Sequence, residues 1–396
     1  MKHSNRSHLF VDAQLHIAPG RAERGWLLTE GGVIRDFGAG PAPDAPDAVQ
    51  IDAHGAHLLP GFIDVHVHGG LNCDTMDGDL RALSTMAQFY ARHGVTSFLA
   101  TTWSALHEET LKTLQRIADA ADTPNGAHLL GAHLEGPYLN PRFCGAQDPR
   151  VIRRATPAEF AEYLDIGVVR LLSLAPEFDE NLALLDECVR RGITVSLAHS
   201  GANYEQTRHA ITRGLRHSTH TFNAMSPFNH REPGAVGALL TSPEVDCELI
   251  ADGIHVHPAA MQLLVQAIGP QRLILVSDSM RAAGMPDGAY KVDDRTITVH
   301  NGRATLPDGT LAGSVLTLDA ALRNLIAATS LPLELAWPAT SLNPARNLGI
   351  DNRKGRIAVG MDADLVQLDA TLTVQRTMVA GAIIDFTTDS STEPVR

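Results

Sequence analysis

His66 and His68 stand two residues apart in the run GFIDVHVHGG. On an extended strand alternate side chains share a face, so both imidazoles can reach one metal ion. The preceding PGFID and the following glycines, which let backbone approach a ligand, favour that use over a packed pair of histidines. Glu135 ends the apolar stretch HLLGAHLEG, His199 ends TVSLAHS, and His220 lies in HSTHTFNAM. Singly, each reads equally well as a capping carboxylate or a structural histidine. Together, one carboxylate and two histidines with a coordination position left open form the donor set of a hydrolytic, zinc-type site. Asp278, in RLILVSDSM, follows a wholly apolar run that should bury it near the same cluster. It could support a ligand there. A general base, taking a proton from water and returning it to a departing amine, is the stronger reading.

These residues are far apart in the chain, so the fold must gather them. Eight apolar runs punctuate the middle of the sequence: GFIDVHVH, VTSFLATT, HLLGAHLEG, VVRLLSLAPE, TVSLAHS, HSTHTFNAM, CELIADGIHV and RLILVSDSM. Segments between them, such as LSTMAQFYARHG, ENLALLDECVRRG and EQTRHAITRG, carry apolar residues at helical spacing and end in glycine. Alternating strand and helix patterns over this length predict an α/β fold, a (β/α)8 TIM barrel, and no GxGxxG follows the first strand. Polar residues gather at the C-terminal ends of the runs: His66, His68, Thr101, Glu135, Glu177, His199, His220, His255 and Asp278. That rim is where barrels of this kind carry their active sites. Residues 8–59 and the tail from Gly355 read instead as short antiparallel strands. We therefore expect a small β-sandwich domain built from both termini, 1–59 and 356–396, around a barrel of residues 60–355.

The bulk properties narrow the partners. A net charge of −13 opposes nucleic acid and anionic membranes over most of the surface, so any bound anion needs a local cationic cluster. Cys73, Cys144, Cys188 and Cys247 form no CxxC pair, and neither an export signal nor an apolar span is evident. A cytoplasmic protein is expected. Only Lys2, Lys112, Lys291 and Lys354 are lysines, and VVRLLSLAPE has none.

Taken in order, PGFIDVHVHGG, HLEGPYLNP, AHS, THTFNAM, NHREPG, ADGIHV, VSDSM, AAGMPDG, DGTLAGS, NPAR and GRIAVGMDADLV resemble the N-acetylglucosamine-6-phosphate deacetylases of the amidohydrolase superfamily. The resemblance implies that Glu135, His199 and His220 hold a divalent metal and that Asp278 is the catalytic acid/base. Zinc is the first expectation for the metal, with Fe2+, Mn2+ or Co2+ as substitutes. Some members replace both histidines of the HxH pair and use one ion. This chain keeps His66 and His68, which implies a second ion bridged by Glu135. The substrate would be N-acetyl-D-glucosamine 6-phosphate, with Arg231 reaching the phosphate bound by a neighbouring subunit of a homodimer. Ala146, Gln147, Asn223, Ala224, Asp252, His255, Leu311, Ala312 and Gly313 would line or support the sugar site. Gln147 stands where members commonly have histidine, which leaves the exact sugar open. N-acetylgalactosamine 6-phosphate and N-acyl amino acids are the alternatives, and a non-catalytic scaffold is the reading from another class.

Overall fold

The computed structural model describes residues 6–120 and 126–384. The first five residues, with Lys2, and the part of the tail expectation beyond residue 384 lie outside them. All eight apolar runs form parallel strands of one sheet: β1 (Phe62–Val67), β2 (Val95–Thr101), β3 (His128–Glu135), β4 (Val169–Leu174), β5 (Thr194–Leu197), β6 (His217–Ser218), β7 (Asp246–Ile250) and β8 (Leu273–Val276). Neighbours in sequence are neighbours in the sheet. β1, β2 and β8 are buried at every position, as expected of strands covered by helices outside and side chains inside. The ring closes just past β8, where Asp278 N donates to His66 O at 2.9 Å and His68 N to Ser279 O at 2.8 Å.

Helices alternate with the strands: α1 (Leu80–Arg92), α2 (His107–Asp119), α3 (Pro157–Asp165), α4 (Asp179–Arg190), α5 (Tyr204–Thr212), α6 (Gly234–Leu240), α7 (Pro258–Ile268) and α8 (Leu318–Thr329). Their amphipathic spacing decides which face is covered. In α1, Leu83, Met86, Ala87 and Tyr90 are buried against the barrel. The helical segments named above occupy α1, α4 and α5. Each is followed by a glycine with positive φ, Gly94, Gly192 and Gly214, which stops the helix and turns the chain toward the next strand. No helix among the described residues is long and apolar enough to cross a membrane.

The two chain ends share a separate eight-stranded sheet. His57–Pro60 pairs antiparallel with Leu365–Leu368, joining the N-terminal strands to the C-terminal ones. Phe10, Leu15, Leu27, Ile34, Leu58, Met361, Leu365 and Met378 form an interior of their own. The pairing is not uniformly antiparallel as the patterns suggested. Ser7–Ala18 has a bulge between Phe10 and Ala13, and its two halves run parallel to Ala48–Asp52 and to His57–Pro60. Between barrel and sheet, buried Lys354 bonds Asp364 and lies 3.1 Å from Asp362.

A further element went unread in the sequence. Gly288–Val292, Arg295–His300 and Arg303–Thr305 make a three-stranded antiparallel sheet after β8. Its Val292, Ile297, Val299 and Ala304 pack with Trp103, Ala146, Met280 and Ala312 beside the barrel's C-terminal mouth.

Candidate metal centre and substrate cavity

Each candidate ligand sits where a barrel strand ends. His66 and His68 close β1, Glu135 is the last residue of β3, and His199, His220 and Asp278 each follow a strand by two residues. These last three share a backbone feature, φ of +43°, +31° and +48°. Left-handed backbone costs a non-glycine residue about 1–2 kcal/mol, and here it accompanies three side chains brought to the same point at the mouth.

The Glu135 carboxylate lies between two groups of nitrogens. Its Oε1 is 3.3 Å from His199 Nε2 and 3.2 Å from His220 Nε2, and those nitrogens are 3.2 Å apart. Its Oε2 is 3.2 Å from His68 Nε2 and 3.6 Å from His66 Nε2, and that pair is 3.3 Å apart. Asp278 Oδ1 completes the second group, 3.4 Å from His66 and 3.3 Å from His68. Tetrahedral ligands about 2.0–2.1 Å from a common ion lie about 3.3 Å from one another, so the donors are spaced as coordination requires. Nitrogen lone pairs converging at this distance without a cation would repel.

The electrostatics agree. Burial alone would lower His66 and His68, but Asp278, Glu135 and, for His66, Glu248 raise them, His68 to about 9 and His66 well above its ordinary value. Burial would likewise raise Glu135 and Asp278, yet the surrounding histidines hold both below the usual carboxylate range. The cluster thus holds its carboxylates charged and calls for positive charge among them, which protons or a divalent cation can provide. His199 Nδ1 donates to Phe143 O at 2.9 Å, which leaves its Nε2 lone pair facing the cluster.

A cavity of about 390 Å³ opens directly over these groups. Of the residues expected to bind substrate, Ala146, Gln147, Asn223 and Ala224 line it, as do His255, Leu311 and Gly313. Two expectations need correction, those for Ala312 and Asp252. Ala312 is fully buried in the apolar cluster beneath the three-stranded sheet, because a methyl side chain there fills the packing rather than the cavity. Asp252 does not line the cavity; its Oδ2 lies 2.7 Å from His255 Nδ1 and fixes that ring, and His255 faces the cavity. Arg231 is exposed on the loop before α6 and does not line the cavity of its own chain. Gln147 is engaged at both ends, donating to Glu135 Oε2 at 2.8 Å and accepting from Ser104 N at 2.7 Å. Of the other rim residues, Glu177 accepts from Ser200, Gly201 and Asn140 and so fastens loops rather than lining the cavity. Thr101 accepts from Val67 N.

Sequence reasoning missed Trp103, whose ring stacks on His68 with centroids 3.9 Å apart, and Arg142, the one Arg or Lys among the described residues that lines the cavity. Arg142 directly follows the motif HLEGPYLNP, and its place between Glu135 and Gln147 was the available signal.

The amidohydrolase family profile matches residues 57–384. This chain belongs to the amidohydrolase family. Within it the chain groups with the N-acetylglucosamine-6-phosphate deacetylases. It is 40% identical over 348 residues to the N-acetylglucosamine-6-phosphate deacetylase of Bacillus subtilis, covering 86% of this chain and 88% of that one. It is 39% identical over 375 residues to an N-acetylgalactosamine-6-phosphate deacetylase of Escherichia coli, covering 92% and 99%. The structure also superposes on a mutant N-acetyl-D-glucosamine-6-phosphate deacetylase of Mycobacterium smegmatis in complex with N-acetyl-D-glucosamine-6-phosphate. That match has a TM-score of 0.89 and 34% identity, covering 96% of this chain and 99% of that one.

Proposed function

We propose that this amidohydrolase hydrolyses the acetamide of N-acetyl-D-glucosamine 6-phosphate to glucosamine 6-phosphate and acetate. The observation that carries the reading is the Glu135 carboxylate, one oxygen toward His199 and His220 and the other toward His66 and His68, with Asp278 beside the second pair. The Bacillus subtilis and Mycobacterium smegmatis relatives support the choice of sugar.

Glu135, His199 and His220 would hold one divalent cation and His66, His68 and Glu135 a second. Zinc suits this nitrogen-rich set best, although iron(II), manganese and cobalt accept the same donors. Such a cation supplies the positive charge that acidifies water and polarises the acetyl carbonyl. Asp278 Oδ1, 3.4 Å from His66 and 3.3 Å from His68, stands beside the donors, where its carboxylate would accept a proton from the attacking water. The same proton then passes to the sugar nitrogen as the C–N bond breaks, and acetate and the free amine leave. His255, oriented by Asp252, turns toward the phosphorylated sugar, while Asn223 and Ala224 offer hydrogen bonds and Leu311 and Gly313 shape the mouth. Arg231 would serve the neighbouring site of a homodimer. The same reading divides the chain into residues 60–355 and a domain of 1–59 with 356–396, and places the protein in the cytoplasm.

The Escherichia coli relative favours a second reading, N-acetylgalactosamine 6-phosphate, which differs only in the configuration at C4. Acetate release from both phosphorylated sugars and their unphosphorylated parents decides the matter. A higher kcat/KM for the glucosamine derivative supports the main reading. Preference for the galactosamine derivative selects the second, and no acetate from either ends both.

A further inference from the structure

We propose that Glu248 is the positioning residue that ties the two halves of the metal centre together. The inference rests on the reading above, that His66 helps hold a cation. Glu248 lies in β7, is fully buried, and was not singled out by any sequence motif. Its Oε2 accepts from His66 Nδ1 at 2.9 Å and from His220 N at 2.9 Å. Its Oε1 meets His217 Nε2 at 2.8 Å, and His217 Nδ1 lies 2.9 Å from Asn347 Oδ1. A carboxylate only accepts, so the His66 proton belongs on Nδ1 and the Nε2 lone pair is left to face His68, Glu135 and Asp278. The backbone contact acts on the other half, because His220 is one of the residues facing Glu135 Oε1. One carboxylate therefore fixes the ring orientation of a donor in one group and the main-chain position of a donor in the other.

Two simpler roles fit less well. Glu248 could itself be a cation ligand, since His66, His133 and Glu248 also lie close together. However, His133 is already engaged at both nitrogens, with Ser173 Oγ at 2.7 Å and Val65 O at 3.2 Å. A purely structural pin between β1, β6 and β7 would explain the contacts, but would predict loss of stability without selective loss of metal.

The test uses the full chain loaded with zinc, reading metal per chain and its release to a chelator alongside thermal unfolding. His66→Ala comes first: if it leaves zinc content and release unchanged, the His66 site itself is wrong, whatever Glu248 does. Where His66→Ala does loosen zinc, Glu248→Ala is expected to weaken zinc at that site about 10–100-fold. Glu248→Gln, whose amide oxygen can still accept from His66 and His220, is expected to recover most of it. Zinc held by Glu248→Ala as tightly as by wild type overturns the proposal, as does a Gln variant no better than Ala. Should the Ala variant fail to fold, nitrogen NMR of the zinc-loaded wild type still decides. A protonated Nδ1 on His66 supports the assignment, and an unprotonated Nδ1 overturns it.

Discussion

Asp278 is the residue whose two possible duties can be separated. Its Oδ1 lies close enough to His66 and His68 to help hold a cation, and a cation held there would favour its charged form. Asp278→Asn keeps an oxygen of similar placement but cannot accept a proton. Acetate release should fall about 10²–10⁴-fold, the usual worth of a general acid/base, with metal content unchanged; near-wild-type turnover would remove Asp278 from proton transfer. The residues most legible in the sequence were those whose type is dictated by the chemistry. Glu135, His66, His68, His199, His220 and Asp278 all converge, because few other side chains can bind a divalent cation or move a proton at neutral pH. Gln147 was legible as a cavity residue but not as the partner of Glu135, since its hydrogen bonds join parts of the chain that no local pattern relates. Glu248 escaped for the same reason, whereas Arg142, next to the motif HLEGPYLNP, carried a local signal.

At the scale of elements, most of the eight barrel strands could be read because burial on both faces favours largely apolar runs, although β6 is only His217–Ser218. The three-stranded sheet after β8 could have been read too: Asn301 and Gly302 both have positive φ, and Asn-Gly between alternating residues is a hairpin signal. The parallel pairings of Ser7–Ala18 could not, because alternation marks a strand without naming its neighbour. Elements also carry a pH dependence of their own. His16, on Ser7–Ala18, is pushed down to about 4 by burial and by His57 beside it, and His128, opening β3, to about 4 by burial and Lys354. Unfolding returns both to about 6.5, so between these values the unfolded chain binds more protons than the native one. Stability is therefore full above about pH 6.5 and is lost on acidification toward pH 4, by up to ~1.4 kcal/mol per pH unit for each group. Denaturant midpoints at pH 7, 6 and 5 should fall, and more steeply in wild type than in His16→Gln. Parallel slopes would show that His16 contributes nothing; comparing the two proteins cancels the titration of the metal cluster.

At the scale of the whole molecule, a net charge of −13 sets the problem of holding a phosphorylated substrate. Among the described residues, one chain lends its own cavity only Arg142 of the arginines and lysines, while Arg231 and the 60% exposed Phe228 project on the loop before α6. A second copy that received this loop would bury the apolar ring and gain a cation for its substrate, in the self-complementary manner of a twofold dimer. Arg231→Ala should then weaken phosphorylated substrates far more than unphosphorylated ones. That loss alone does not say whose site the arginine serves, but mixing does. If the chain is a homodimer, Arg231→Ala and Asp278→Asn should each be nearly inactive on their own. If Arg231 crosses to the partner, a mixed dimer has one site with both defects and one with none. Equal, fully exchanged subunits give half mixed dimers, so activity should rise to about a quarter of wild type. If Arg231 acts in its own site, every site keeps one defect, and mixing the two variants restores nothing.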